Sequence, residues 1–188
     1  MRDRLEDQWT LSICELLKKE IDNSKYEVSC FEKVPYSLYV KGYEEDKINL
    51  EVMKYEVDLV IKEKRGNDLI PRLIIESKYK SISTHDVITY GNKAKAHKEV
   101  FSGLRYGLMV GNSKEKNVPS RLVHHGNEFN FMIMFDSDKP NDKEWNIFVS
   151  IVKKKLESAN KFENIIRDRR KKDKDRYFCI ERDLIFYE

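Results

Sequence analysis

Residues 73–79 read LIIESKY, and residues 55–61, earlier in the chain, read YEVDLVI. Both runs are rich in the branched apolar residues that are typical of strands inside a sheet. Because side chains alternate along a strand, Glu76 and Lys78 share one face about 6.6 Å apart, and Ser77 takes the other. Asp58 in turn lies opposite the apolar set of its own run. If the two strands pair, two carboxylates and one lysine can converge.

This combination of side chains indicates chemistry on phosphate. Two carboxylates on rigid strands suit Mg²⁺, which keeps several waters and binds phosphate oxygens of a substrate. A protonated lysine can hold the phosphate or orient the attacking water. The structural alternative is an ordinary ion pair of Glu76 and Lys78 at a sheet edge, with Asp58 on a solvated face. The apolar surroundings count against it, because charged side chains are rarely placed inside core strands without a partner or a task.

The order of Asp58, seventeen intervening residues, Glu76-x-Lys78 and then a helix resembles the PD-(D/E)XK nuclease superfamily, which includes many type II restriction endonucleases. The resemblance covers roughly residues 5–111, and Val57 stands where the motif's name has proline. It implies an α/β, restriction-endonuclease-like fold, with a mixed central sheet flanked by helices. It also implies that Asp58 and Glu76 bind Mg²⁺, for which Mn²⁺ substitutes. The Ser77 carbonyl would complete the metal site, and Lys78 would lie beside the attacking water.

The first helix offers a further acid. Residues 3–22 carry apolar residues at helical spacing: Leu5, Trp9, Ile13, Leu16 and Leu17. At about 100° per residue, Glu6 and Glu20 both lie near the centre of that stripe. Members of the family often supply a glutamate from early in this helix, so the resemblance favours Glu6 as a catalytic residue. The alternative is a glutamate at the boundary with solvent.

The remaining elements follow from pattern. We expect strand pieces at 26–28 and 37–40 with a loop at 42–47, and an antiparallel hairpin that turns within 62–68. Ser83 or Thr84 can cap a helix that runs to Phe101, with Asp86 three residues after Ser83. Residues 105–110 predict a third core strand reached by a crossover, and 129–135 a further strand. Residues 140–158 predict a helix with a buried stripe: Trp145, Phe148, Val149, Val152 and Leu156.

Two further groups are candidates for contact with DNA. In the family, the helix after the lysine lies beside the active site, and Lys93 and Tyr90 are the nearest polar candidates on it. The alternative is a solvated lysine face. Residues 167–176 place seven basic residues among three acids. Arg169, Arg170, Lys171 and Lys172 in this run could bind phosphates, or the run could be an exposed helix with internal charge pairs.

Composition limits the class of protein. The 188 residues predict a single nuclease domain, 1–188, with a basic C-terminal segment at about 160–188. The 36 basic and 33 acidic residues leave a net charge of only +3, which argues against a uniformly basic nucleic-acid coat. No run has the length of a membrane span or the pattern of a secretion signal.

The cysteines and histidines predict no metal site of their own. Cys14, Cys30 and Cys179 are odd in number, far apart and without a C-x-x-C pair, which predicts reduced thiols and a cytoplasmic protein. The pair His124-His125 has no carboxylate or cysteine at ligand spacing, and on a strand the two rings would diverge.

The predicted function is a metal-dependent endonuclease acting on double-stranded DNA in a prokaryotic cell. No helix-turn-helix, zinc finger or appended domain is recognisable, so a second protein is expected to supply recognition. By size, the chain is similar to the small cleavage subunit of a heterodimeric type IIS restriction endonuclease, whose larger subunit recognises the site. The alternatives are a self-sufficient homodimeric type II restriction enzyme, a repair or junction nuclease and, from a different class, a non-catalytic DNA-binding scaffold.

Overall fold

The computed structural model of the chain describes residues 4–115 and 117–167. These residues form a mixed five-stranded sheet flanked by helices, which confirms the predicted α/β class. The strands are β1 (Tyr26–Glu44), β2 (Lys47–Arg65), β3 (Asp68–Tyr79), β4 (Arg105–Gly111) and β5 (Phe131–Met134). The helices are α1 (Arg4–Glu20), α2 (Thr84–Val100), α3 (Ser120–His125) and α4 (Asp142–Arg167).

The strands lie side by side in sequence order. The β1/β2 and β2/β3 pairs are antiparallel, and the β3/β4 and β4/β5 pairs are parallel. The predicted hairpin of the two motif strands and the predicted third core strand are therefore both confirmed. The hairpin turns at Gly66, whose φ of 60° lies in the left-handed region that glycine adopts without strain.

The sheet has an apolar layer on each face. On one face α1 and α4 cover a core that includes Ile13, Leu59 and Phe148. On the other face α2 and α3 cover a second core that includes Val87 and Leu108. Because β3 lies between these layers, its residues 73–77 are almost fully buried.

Helix α1 buries a different stripe from the one predicted. Trp9, Ile13 and Leu17 are buried as expected, but Leu5 and Leu16 are half exposed. Thr10 and Cys14 are fully buried in their place. The buried stripe is therefore rotated toward the side of the helix that carries Glu6, which lies one turn before Thr10.

Three further predictions about elements need correction. In place of the two short strand pieces and the loop expected in 26–54, the structure has the long strand β1 and the first eight residues of β2, joined by a turn at 45–46. His124 and His125 end the short helix α3, so they do not lie on a strand. Helix α4 begins near the predicted start but continues to Arg167, with four residues of the predicted stripe buried and Trp145 partly buried against them.

The expectation of reduced thiols is wrong for two of the three cysteines. Cys14 on α1 and Cys30 on β1 form a disulfide, with their Cα atoms 6.7 Å apart. Separation along the sequence was a poor guide because the chain reverses between α1 and β1 and packs the helix on the strand. The thiols therefore no longer support a cytoplasmic location. Within the described ranges, no helix is long and apolar enough to cross a membrane.

Candidate active site

The predicted site residues lie where β2 and β3 separate. The β2/β3 pairing ends at Leu59 and Ile75, which are the paired residues nearest to the site. Immediately beyond that pair, Asp58 is 6% exposed, and its Oδ2 accepts a hydrogen bond of 2.8 Å from the backbone N–H of Ser77. The Ser77 hydroxyl donates to the same oxygen at 3.2 Å. Asp58 is thereby fixed against β3 with its carboxylate beside Glu76.

Glu76 is the most deeply buried acid of the site, at 1% exposure. Its Oε1 accepts a hydrogen bond of 2.6 Å from the Tyr106 hydroxyl and one of 3.4 Å from Lys93 Nζ. Its carboxyl group also contacts that of Asp58. Burial, and next the charge of Asp58, raise the pKa of Glu76 to about 7, against the opposing effects of Lys93 and Tyr106. Glu76 therefore keeps its proton into the neutral range.

Lys78 lies between two other acids. Its Nζ is 3.5 Å from Glu6 Oε1 and 3.6 Å from Asp86 Oδ1. Glu6 Oε2 also accepts a hydrogen bond of 3.2 Å from the backbone N–H of Tyr79. Burial raises the pKa of Glu6, although Lys78 and the Tyr79 N–H both favour its charged form. The sequence left open an ion pair between Glu76 and Lys78. In the structure Glu76 instead contacts Lys93, and Lys78 lies beside Glu6 and Asp86.

The choice between Glu6 and Glu20 follows from the packing of α1. Glu20 lies at the other end of the helix, where Trp145 Nε1 donates to it at 3.4 Å and Lys153 is 3.9 Å away. Glu6 is brought to the site because Thr10, one turn later, lies with its hydroxyl 2.7 Å from the Ser77 hydroxyl in a buried contact. Of the two acids, Glu6 belongs to the site by position.

Helix α2 contributes a rim of polar groups. Asp86 completes a capping box with Ser83 at the start of the helix. Burial would raise the pKa of Asp86, but the hydrogen bonds from Ser83 lower it. Two turns along, Lys93 Nζ donates to Glu76 and to the backbone carbonyl of Glu56. The ring of Tyr90 lies 5.9 Å from Lys78 Nζ and 5.4 Å from Lys93 Nζ, within cation–π range of both.

The carboxylate pair is a suitable partial donor set for a divalent cation. Two hard oxygen ligands in contact gain from a cation placed between them, and here one of them, Glu76, ionises only near neutral pH because it is buried and lies beside the charge of Asp58. Two carboxylates with water at the remaining positions suit Mg²⁺. Within residues 4–115 and 117–167, no group of three or more His, Cys, Asp or Glu side chains has the arrangement of a metal centre. The backbone N–H and the hydroxyl of Ser77 both donate to Asp58. That the Ser77 carbonyl binds the metal remains a prediction.

Sequence reasoning missed Tyr106, Thr10 and the second role of Asp86. Tyr106 pairs with Ile74 in the parallel β3/β4 register. A tyrosine hydroxyl inside the apolar run 105–110 is the sequence feature that could have indicated a role in the site. Thr10 follows Glu6 by four residues, which is one helical turn. Asp86 was recognised only as a capping residue. Arg169, Arg170, Lys171 and Lys172 lie outside the described residues.

No family model matches the chain, and no curated protein matches it.

Proposed function

We propose that this chain is a Mg²⁺-dependent endonuclease that hydrolyses phosphodiester bonds of double-stranded DNA. The observation that carries the proposal is the contact between the carboxyl groups of Asp58 and Glu76, with Lys78 held nearby by Glu6 and Asp86. These five charged side chains come from four elements, α1, β2, β3 and α2, and meet where β2 and β3 separate. The proposal also rests on the resemblance of Asp58 and Glu76-x-Lys78 to the PD-(D/E)XK motif.

Asp58 and Glu76 would hold the metal, and Tyr106 and Lys93 would position Glu76 through their contacts with its Oε1. When bound, a divalent cation polarises a phosphoryl oxygen and lowers the pKa of a coordinated water. The protonated ammonium of Lys78 has no lone pair for a metal, so it is assigned to the phosphate and the attacking water. Its side chain is 22% exposed, which leaves it within reach of a substrate. Glu6 and Asp86 restrict where that ammonium lies.

A larger DNA-recognition subunit remains part of the prediction, as does a location in the cytoplasm of a prokaryotic cell. A site that reads no base edges obtains its affinity from phosphates and has little sequence preference. A partner that holds the chain on DNA would raise its effective concentration at one position and fix where it cuts.

The test is nicking of supercoiled plasmid at low salt, with Mg²⁺ or with a chelator. We expect the wild-type chain to convert supercoiled DNA to the nicked form only with the metal. Asp58→Asn and Glu76→Gln should be inactive, because each removes one charged ligand with little change in volume. Glu20→Gln is the matched control, because it makes the same change at a glutamate of α1 that lies away from the site. This variant should nick at the wild-type rate.

The outcomes separate the two classes of function. If the wild type nicks no faster than Glu76→Gln with either Mg²⁺ or Mn²⁺, the endonuclease proposal is wrong. If such a preparation still retards the plasmid in a gel, the chain is a DNA-binding scaffold. Because all variants are purified in the same way, a contaminating nuclease would give equal nicking in all of them and would also contradict the proposal.

A further inference from the structure

Strands β1 and β2 extend beyond the sheet as a two-stranded ribbon. They remain paired out to Glu44 and Lys47, whereas β3 pairs only with the part of β2 from Leu59 onward. Every residue from 38 to 56 is exposed. A two-stranded ribbon by itself is at best marginally stable in water, because neither face is covered. An extension of this length therefore suggests that another surface covers it.

The two faces of this ribbon differ in chemistry. Residues directly opposite one another on paired strands share a face, and three such pairs are entirely apolar. We call their six side chains the apolar ribbon face: Leu38 with Val52, Val40 with Leu50, and Tyr43 with Ile48. Their exposure ranges from 46% for Leu50 and Val52 to 83% for Tyr43.

The opposite face of the ribbon is mixed, because it carries the exposed side chains of Tyr39 and Met53 beside polar and charged residues. Tyr39 pairs there with Glu51, and Lys41 forms a 2.8 Å ion pair with Glu51. Gly42 pairs with Asn49 on the same side. One face of the ribbon is therefore apolar in all three pairs, whereas the charged residues Lys41 and Glu51 lie on the other face. Simple solvation would place polar residues on both faces, so the one-sided pattern indicates a partner on one face only.

The exposed side chains of the apolar ribbon face amount to about 430 Å² of surface, taking about 100 Å² for each aliphatic side chain and about 200 Å² for the tyrosine before their exposed fractions are applied. A patch of this size is typical of the largest apolar patch on a protein surface, and such patches are often functional. Two such faces together, with a polar rim, approach the lower limit of a specific dimer interface, about 1,000 Å² in total.

We propose that two copies of this chain associate through the apolar ribbon face, each ribbon covering the other about a two-fold axis. A two-fold interface requires a patch that complements itself. The apolar ribbon face meets that requirement, because its six members are five aliphatic residues and one tyrosine, so stacking it on its copy opposes no like charges. Two ribbon faces can pack about 10 Å apart, as sheets do. DNA is a poor occupant, because proteins contact it mainly through basic and polar groups.

The pairing does not depend on the proposed nuclease activity. It would nevertheless fix the geometry of two sites, because Asp58 lies on β2 only six residues beyond Val52. A rigid connection of this kind sets the distance between two copies of Asp58 through the ribbon. If the copies pair, the self-sufficient homodimeric enzyme gains support over a single copy beside a larger subunit.

The experiment measures molar mass by light scattering after size-exclusion chromatography, over a dilution series of the full chain. We expect the wild type at high concentration to have twice the 22.5 kDa mass of one chain and to dissociate on dilution. The double variant Val40→Lys/Leu50→Lys places charges at the centre of the apolar ribbon face and should be monomeric throughout. The control Tyr39→Lys/Met53→Lys adds the same charge to the opposite face of the same ribbon, and it should dimerise like the wild type.

A shortened ribbon provides a second test. Residues 38–52 are replaced by Asn-Gly, which can form a two-residue hairpin turn between Ser37 and Met53, a pair in the observed register. This variant should be a folded monomer with unchanged helical circular dichroism. A wild type that is monomeric at every concentration overturns the proposal. The occupant of the apolar ribbon face would then be residues 168–188 of the same chain or another protein. Dimers of the Val40→Lys/Leu50→Lys variant, or of the shortened chain, also overturn it.

Discussion

Replacing Glu76 by glutamine should change the way stability depends on pH. In the folded chain, burial and the neighbouring Asp58 raise the pKa of Glu76 from 4.5 to about 7. Between those two values the folded state binds more protons than the unfolded state. The free energy of unfolding of the wild type therefore falls as the pH rises through this range. Glutamine has no proton to lose, so this part of the pH dependence should disappear.

The size of the effect follows from the two pKa values. The interval from 4.5 to about 7, at about 1.36 kcal/mol for each pH unit, corresponds to about 3 kcal/mol. The glutamine amide can donate to Asp58 as the protonated acid would, while its carbonyl still accepts from Tyr106. We expect Glu76→Gln and the wild type to be about equally stable near pH 4.5. At pH 8 the variant should be more stable by up to about 3 kcal/mol.

Urea denaturation at a series of pH values from 4.5 to 8, in a chelator, measures this difference. Glu20→Gln is the control, because Glu20 lies beside Lys153 at the other end of α1. Adding Mg²⁺ at ten times its dissociation constant should stabilise the wild type by about 1.4 kcal/mol at pH 8, and Glu76→Gln by much less. Parallel stability curves for Glu76→Gln and the wild type between pH 4.5 and 7 would refute the reasoning about the carboxylate pair.

The remaining predictions concern activity. Lys78→Ala should lose about 10²- to 10³-fold in nicking rate while calorimetry still detects metal binding, because its ammonium acts on phosphate and water; unfolding of this variant would instead indicate a structural ion pair. Tyr106→Phe removes the 2.6 Å hydrogen bond to Glu76 and should shift the pH profile of nicking to higher pH, because that bond favours the charged carboxylate; an unchanged profile at a reduced rate would deny it a positioning role. The isolated chain should cut without sequence preference and lose activity steeply as salt rises, since non-specific binding typically has a dissociation constant of only about 10⁻⁴ to 10⁻⁶ M; discrete fragments at physiological salt would identify a complete restriction enzyme.

Periodicity was sufficient to predict the central part of the fold. The runs around Asp58 and Glu76 are strongly apolar and bounded by turn residues, so their strands and antiparallel pairing followed from local signals. The capping box of Ser83 and Asp86 gave the start of α2 for the same reason. These features depend on residues close in sequence, where propensity and hydrogen-bonding pattern carry most of the information.

The ribbon and the disulfide depended on information that local patterns lack. Residues 36–55 mix apolar residues with charges and contain a register shift between Val40 and Gly42, which disturbs the simple alternation of a strand. Cys14 and Cys30 meet only because α1 packs on β1. Neither contact follows from spacing along the chain.

Some residues of the candidate site could be predicted from the sequence, and others could not. Asp58, Glu76 and Lys78 were identifiable because charged residues inside apolar strands are unusual. Tyr106 reaches Glu76 from a strand thirty residues later, and the partners of Lys78 come from α1 and α2. Such contacts depend on the parallel register of β3 and β4 and on the rotation of α1 about its axis. The apolar stripe in the sequence predicted that rotation incorrectly.

The most direct test of the central claim is anomalous diffraction from crystals of the wild-type chain soaked in Mn²⁺ at pH 8. We expect a peak between the carboxylates of Asp58 and Glu76, about 2.1 Å from an oxygen of each. The same peak should be absent from crystals of Glu76→Gln soaked in the same way. A wild-type crystal with no peak at these carboxylates, or with Lys93 still bound to Glu76 at saturating Mn²⁺, would contradict the assignment of this pair as the metal ligands of a nuclease.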